Sequence, residues 1–489
     1  MRPRVESQAE QAGPRATIRV VDPLALLASR LPPDAFTIES VDLAEGSRDW
    51  WTLAMLRETR GDGASLPAAV VRPATTEDVA TVLAWASETR TPVVARGGGS
   101  GVCGGVRPSA GWIVLDLSRM DRILDLDVES QVVHVEAGMN GERLEAELQA
   151  NRLTLGHYPQ SIAISTVGGW IAASSAGQAS AGHGAIEDHL LGLTAVLAGG
   201  RIVRLRPVPR SASGPDLRRL LVGSEGTLAV VTDAWLGCSA PPPGYAWDAF
   251  GFPSFHAVMD GLRDVVRAHT GATFIRGYDQ TDSALNFGSM GHAGGCAAIV
   301  GFASDLPGLE ARRTAAAEAA RSSGGTPLGE GYGHHWEQHR NDAVELYRRV
   351  MGPERLFGPG VAVDTMEVAG LWSGLRELEE GVRSALAAHT EAVGCHLSHV
   401  YPAGSSLYFT FLLRGTDDRT VEATYLAAWE DAVRACLEAG GTMTHHHGVG
   451  RLKAPFLEEE LGREGFGMLR AIKDALDPAG VLNPGALLP

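Results

Sequence analysis

Residues 96–105 read RGGGSGVCGG, and so much glycine in ten positions limits the folds that can contain it. Without β-carbons, successive backbone N–H groups can close on a bulky anion such as a diphosphate. Gly99, Gly101 and Gly104 satisfy the spacing G-x-G-x-x-G. In the dinucleotide-binding fold with that signature, the third glycine opens a helix whose N-terminus faces the pyrophosphate. Here VRPSAGWIVLDL follows, a turn and then a strand. The loop therefore belongs to another architecture. Read alone, it could equally be a tight connection between strands.

The flanking segments supply the context. AAVVRP and TPVVARGGG read as strands around the helical stretch TTEDVATVLAWASETR, which opens on an N-cap threonine with acids in its first turn. WIVLDLSRM, ILDLDVESQVVHVEAG, AVLAGGRIVRL and TLAVVTDAWL have strand character, and GERLEAELQANRL is helical. PPPG at 241–244 supports neither and marks a boundary. Beyond it, the strands AAIVGFAS and SLYFTFLLRG alternate with two long helices, as in an α/β cap. The expected divisions are a lead-in arm over 1–65, a strand-rich domain over 66–240, a cap over 241–450 and a C-terminal segment over 451–489.

Bulk properties remove several functions. With 42 basic against 58 acidic residues and no basic tract, nucleic acid is not an expected partner. The five cysteines are scattered without a CxxC pair, which argues against a structural zinc or iron–sulfur site and suits the cytoplasm. No apolar run approaches the roughly 20 residues of a membrane span, and no secretory signal is visible.

Two more loops of small residues follow the first: YPQSIAISTVGGWIAASSAGQ (158–178) and VGSEGTLAVVT (222–232). Three such loops in one strand-rich domain suit a long ligand lying across it. In this order the motifs resemble the FAD domain of the vanillyl-alcohol oxidase / p-cresol methylhydroxylase superfamily. The fold implied is α+β: a two-part FAD-binding domain of that type, an α/β cap with a central antiparallel sheet, and a C-terminal segment returning to the FAD domain. The resemblance places FAD at Arg96, Gly97, Gly98, Gly99, Ser100, Gly101, Gly104 and Gly105. From the second loop it adds Gln160, Ser165, Thr166, Gly168, Gly169 and Ser175, and from the third Glu225, Gly226 and Val231. Relatives that tether the flavin use a His in the first loop or a Cys in the second. Ser100 and Ile164–Ser165–Thr166 stand there, and Cys103 lies elsewhere in the first loop, so non-covalent FAD is expected.

HHHGVG (445–450) is the sharpest signal of the second half. On an extended segment His445 and His447 would face one way and His446 the other, which does not of itself make a metal site. Histidines facing a ligand suit proton transfer and anion binding; the flanking glycines and strand-like context weigh against a mere surface run. HLSHVYPAGSSLYFTF (396–411) ends in a strand projecting Tyr408. A tyrosine most often packs; as a catalyst it needs a lowered pKa, which neighbouring histidines could supply. Together with RDWW, FIRGYDQ, DTMEVAGLW and LDPAGVLNPG, these motifs resemble the alkyldihydroxyacetonephosphate synthase family over most of the chain. The resemblance implies acid/base work at Tyr408 with His445, His446 and His447, and an anion contact at Arg276. It implies redox-neutral exchange of a fatty acid for a fatty alcohol on a ketone phosphate. The family's second arginine segment is replaced by ELYRRVMGPERLFGPG, which leaves Arg348, Arg349 or Arg355 to serve. Arg451 stands where a lysine often follows the histidines.

Flavin-linked oxidation of an alcohol or hydroxy acid is the alternative, and a flavoprotein that only binds or senses is a third. Related hydroxy-acid dehydrogenases use an H-x6-H metal pair; from His399 that spacing reaches Ser406, so no catalytic metal is expected. The expected partner is a small molecule of lipid-like character, and a homodimer is compatible with the reading.

Overall fold

The computed structural model describes residues 22–62, 65–292 and 294–488. Much of the lead-in arm, residues 1–21, lies outside them. The first sheet contains β1 (Phe36–Thr37), β2 (Ala69–Val71), β3 (Val93–Arg96) and β4 (Ile113–Asp116), in the order β1-β2-β4-β3. Its β2, β4 and β3 run parallel, so the chain crosses over between β2 and β3 through helix Thr76–Thr89. That helix starts on a reciprocal cap: the Asp78 amide donates to Thr75 Oγ1 at 3.1 Å, and Asp78 accepts from the Thr75 amide at 3.1 Å.

The second sheet contains β5 (Ile123–Asp127), β6 (Val132–Glu136), β7 (Leu190–Val196), β8 (Ile202–Leu205) and β9 (Val230–Gly237), ordered β5-β6-β9-β7-β8 and antiparallel throughout. The WIAA run of the second glycine loop continues no strand. It lies in helix Val167–Ala173, capped by Thr166.

The cap sheet contains β10 (Tyr245–Phe252), β11 (Phe274–Tyr278), β12 (Cys296–Ala303), β13 (Thr326–Pro327), β14 (Val361–Leu371), β15 (Ala392–Val400) and β16 (Gly404–Arg414), ordered β13-β10-β12-β11-β15-β16-β14. All its pairs are antiparallel. Side chains alternate across a strand, and here the alternation separates two chemistries. Ile275, Cys395, Leu397, Leu407, Phe409, Met366 and Val368 join one buried core with residues of helices Phe255–Arg267, Leu375–Ala387 and Asp418–Glu438. The other face carries Arg276, Tyr278, His396, Ser398, Ser406, Tyr408, Thr365 and Glu367. The register places Tyr278, His396, Tyr408 and Glu367 side by side across four strands.

Two segments join the bodies. In the arm, the Trp85 indole donates to the carbonyl of Pro23 at 3.0 Å, while the Trp51 indole reaches Tyr425 of the cap at 3.1 Å. At the other end, the chain returns to the first sheet. Val93 N donates to Val481 O and Asn483 N to Val93 O, both at 2.8 Å.

The first two glycine loops pack backbone on backbone. A β-carbon on Gly98 would lie 1.9 Å from the Ile164 carbonyl oxygen, and one on Gly97 would lie 2.2 Å from Thr166 Oγ1. The bare backbone is thus needed for the loops to meet, before any ligand is considered. Gly101 faces open space. Gly98→Ala is therefore expected to destabilise the protein by about 1–3 kcal/mol or more and to lower its FAD content. Gly101→Ala should change stability by less than about 0.5 kcal/mol. Urea unfolding of the two variants checks the contrast.

Candidate active site

The histidine segment does not run extended. Residues 445–447 form consecutive bends, so strict alternation fails and all three rings stay together. Ring centroids of His445 and His446 are 5.3 Å apart, and those of His446 and His447 4.7 Å. Two buried carboxylates impose this shape. Glu367, on β14, accepts from Thr444 Oγ1 at 2.7 Å, from the His447 amide at 2.8 Å and from the His445 amide. Glu225, from the third small-residue loop, accepts from the Val449 amide at 2.6 Å and the Gly450 amide at 2.8 Å. The glycines of HHHGVG follow from that clamp. Gly448 and Gly450 both take positive φ, and a β-carbon on Gly450 would lie 2.1 Å from the Cys103 carbonyl oxygen.

Glu367 has a buried counter-ion in Lys453, at 3.3 Å with both side chains at 0% exposure. Burial disfavours the Glu367 carboxylate, but Lys453 and the adjacent histidines outweigh it and hold the carboxyl well below its usual range. Burial likewise opposes the Lys453 charge, and Glu367 overcomes it. The buried cation of this segment is thus Lys453. Arg451 instead donates to the carbonyls of Pro484 and Arg107.

Tyr408 lies between His396, stacked at 4.8 Å between centroids, His446 at 6.1 Å and His447 at 5.5 Å. Its hydroxyl donates to Thr365 Oγ1 at 3.0 Å. The expectation that the histidines would lower its pKa is not met. Burial pushes the Tyr408 phenol up to about 12, with the Thr365 bond opposing. Burial also holds His447 down to about 4, and His399 and His446 well below the usual histidine range. His446 and His447 are therefore neutral at pH 7 and give Tyr408 no cation, so the phenol is its resting form.

His399 completes the cluster. It stacks on His445 at 4.7 Å, and its Nδ1 lies 2.6 Å from Ser180 Oγ. His445 Nε2 meets the Tyr401 hydroxyl at 2.9 Å, and its Nδ1 faces His446 Nδ1 at 3.1 Å. His399, His445 and His446 each present a ring nitrogen within 4.8 Å of the others. A metal could use that set, which H-x6-H spacing does not reveal because two members come from a distant segment. The His445–His446 contact already satisfies both nitrogens as a hydrogen bond.

The three small-residue loops converge. Beyond the Gly97 and Gly98 contacts, Gly105 lies against Glu225, and Asn483 Nδ2 donates to the carbonyls of both at 2.8 Å. The amides of Gly98–Gly101 donate to no protein acceptor among the described residues, and Arg96 Nε is buried without a partner. That donor set fits a diphosphate. Gly99 and Gly226 have positive φ, and Gly104, also positive, abuts Trp51. Gly168 packs on Ala137, and Gly169 N reaches Thr166 Oγ1 at 3.4 Å.

Several residues expected at the cofactor also have protein partners. Besides Glu225, Ser165 Oγ accepts from the Trp170 indole at 2.8 Å, Ser175 Oγ meets His157 at 2.9 Å, and Gln160 Nε2 donates to the Arg340 carbonyl at 3.2 Å. Val231 belongs to the core of the second sheet. At the tether positions, Ser100 and Thr166 are hydroxyl residues. Cys103 is buried with its thiol pushed up to about 12 by desolvation, an unreactive form.

Residues 67–206 match the family described as FAD binding domain, and residues 247–487 match FAD linked oxidases, C-terminal domain. The chain belongs to the flavin-linked family that pairs these two domains. Within it, the chain is similar to alkyldihydroxyacetonephosphate synthase of Dictyostelium discoideum, at 26% identity over 89% of this chain and 75% of the relative. It is also similar to the glycolate oxidase subunit GlcD of Bacillus subtilis, at 28% identity over 86% of this chain and 89% of the relative. A solved alkyldihydroxyacetonephosphate synthase shares the fold, with a TM-score of 0.78 and 23% identity over 94% of this chain and 84% of that one. This FAD-linked chain is thus a flavin-dependent enzyme whose relatives include both a synthase and an oxidase.

Removing one member of a buried ion pair leaves the other uncompensated, at a cost of about 3–5 kcal/mol. Lys453→Met should lower the unfolding free energy by that amount in urea titration, and Glu367→Gln added to it should recover part of the loss. The depressed pKa of His447 sets a pH dependence. Its unfolded form binds a proton below about pH 6.5 and the folded form only near 4, so its contribution is complete above 6.5 and lost as pH falls toward 4. Urea midpoints measured from pH 7 to 4.5 should fall, and His447→Gln should make the fall shallower.

Proposed function

We propose that this enzyme carries out alkyldihydroxyacetonephosphate synthase-like chemistry on a ketone phosphate or closely related lipid-like substrate. The supporting observation is the cluster around Tyr408: a phenol with the neutral rings of His446 and His447 packed about it and His396, bonded to Asp282 at 2.7 Å, stacked on its ring. FAD, held non-covalently by Arg96 and the amides of the first glycine loop, supplies an electron-accepting ring to the substrate. The protein's own residues manage the proton. The Tyr408 hydroxyl, now bonded to Thr365, can turn its proton toward a substrate oxygen. The neutral imidazoles of His445, His446 and His447 can accept or relay one, with Glu367 and Lys453 holding the segment that carries them. Catalysis without a metal accords with a histidine cluster already hydrogen-bonded within itself.

Oxidation of an alcohol or hydroxy acid is the second reading, favoured by the similarity to the glycolate oxidase subunit. No helix among the described residues is long and apolar enough to cross a membrane; a cytoplasmic location and a homodimer belong to the proposal.

The deciding experiment supplies purified flavoprotein with an acyl-dihydroxyacetone phosphate and a fatty alcohol, beside a panel of alcohols and hydroxy acids. An ether product by mass, without net flavin reduction, supports the synthase; bleaching by a hydroxy acid supports the oxidase. Tyr408→Phe should retain FAD and fold while losing about 10²–10⁴ in turnover, and wild-type turnover in that variant would remove Tyr408 from the mechanism. Acid precipitation should leave the yellow colour in the supernatant, and dialysis against a chelator should leave turnover unchanged.

A further inference from the structure

His445 is hydrogen-bonded through both ring nitrogens. Its Nδ1 faces His446 Nδ1 at 3.1 Å, and its Nε2 meets the Tyr401 hydroxyl at 2.9 Å. A neutral imidazole carries one N–H and one bare nitrogen. One nitrogen of His445 therefore donates while the other accepts, and a proton arriving at one can leave from the other. His396, which also stacks on Tyr408, leads elsewhere. Its Nδ1 meets Asp282 at 2.7 Å, and Asp282 is buried, so that branch ends inside the protein.

Tyr401 lies in the turn between β15 and β16. Its backbone is fixed there: the Tyr401 amide donates to the Gly404 carbonyl at 2.8 Å, and the Trp372 indole donates to the Tyr401 carbonyl at 3.0 Å. Groups of the FAD domain act on its hydroxyl. Burial pushes the phenol up to about 12, Glu187 and Asp188 add to that, and the Ser180 hydroxyl opposes it. The phenol thus rests protonated, and it can take up a proton only as it gives one away. Glu187 and Asp188, on helix Ile186–His189, reach solvent with 25% and 55% side-chain exposure. Tyr401 therefore joins a buried histidine to a solvated pair of carboxylates across the seam between the domains.

We propose that Tyr401 is the outer member of a proton relay that runs from His446 through His445 and delivers the substrate's proton to Glu187 and Asp188 at the surface. The substrate–hydrogen bond breaks, an N–H bond forms on the second ring nitrogen of His446, and the electron pair stays with the substrate. His446 yields the proton on its Nδ1 to His445 Nδ1, and His445 yields its Nε2 proton to the Tyr401 oxygen. Tyr401 passes its hydroxyl proton to a carboxylate, which returns it to water. No histidine holds a charge at rest, which suits rings whose charged forms burial disfavours. The relay rests on the site reading above in taking His446 as a proton acceptor beside Tyr408.

Exchange of the His445 and His446 ring protons with water tests the relay without turnover. It is measured by nuclear magnetic resonance on the whole FAD-loaded chain with isotope-labelled histidine, the signals being assigned by their loss in His445→Gln and His446→Gln. Tyr401→Phe removes only the hydroxyl and should slow the exchange about tenfold or more. A tyrosine that merely fastens the ring predicts the opposite sign, because a ring freed of its bond exchanges faster. Unchanged or faster exchange in a folded Tyr401→Phe protein overturns the proposal. If that variant does not fold, Glu187→Gln combined with Asp188→Asn is read instead. Exchange should then slow about threefold or more, and an unchanged rate overturns the proposal. Turnover is a separate readout. Slower exchange in Tyr401→Phe with no turnover of either substrate set keeps the relay and removes the reading of the reaction; turnover with unchanged exchange does the reverse. Where substrate is turned over, Tyr401→Phe should lower kcat about tenfold or more with KM within about twofold, and an unchanged kcat overturns the proposal.

Discussion

Glu367 holds its charge at zero exposure, and the rest of the site depends on how that charge is answered. A carboxylate this deep is costly unless its oxygens are filled. One lysine, one threonine hydroxyl and two main-chain amides fill them. Because the amides belong to His445 and His447, compensating the charge also folds the histidine segment. The same residue therefore neutralises Lys453 and sets the positions of the rings beside Tyr408. Glu225 does the matching work from the FAD domain on Val449 and Gly450. The segment between them is a seam, gripped by one carboxylate from each body of the protein.

Electrostatics within the seam follow from desolvation. Four histidines, His399 and His445–His447, stand close together with burial disfavouring the charged form of each. A run of neutral rings cannot stabilise a phenolate, which is why Tyr408 rests as the acid. A bound anion or a developing charge on the substrate would change that balance. Arg276 and Arg340 both lie against the Trp336 ring.

Much of this was legible in the chain because it depends on local rules. Glycine density followed by a strand excluded the dinucleotide fold, and helix-cap and alternation patterns located most elements. The reading was weaker where an element owes its conformation to distant partners. WIAA reads as an apolar run but is helical, because Thr166 caps it. HHHGVG reads as extended but bends around Glu367. The signal for Glu367 itself was present, as one of two acids, with Asp364, in the apolar strand VAVDTMEVAGL, but nothing nearby in sequence names its partners. Likewise, Arg348, Arg349 and Arg355 looked available until each was found beside an acid.

The sequence by itself determined the FAD-type architecture, through its resemblance, and the choice of Tyr408 and the histidines as the candidate group. Glycine density, strand character and side-chain chemistry are readable within a few residues, and the order of the motifs along the chain carries the resemblance. Only the tertiary structure decided which charges are spoken for. It placed Glu367 beneath the histidines, paired it with the buried Lys453, and raised the Tyr408 phenol instead of lowering it. Charge compensation and desolvation depend on what lies within a few ångströms in space, and residues that meet there come from strands and loops hundreds of positions apart.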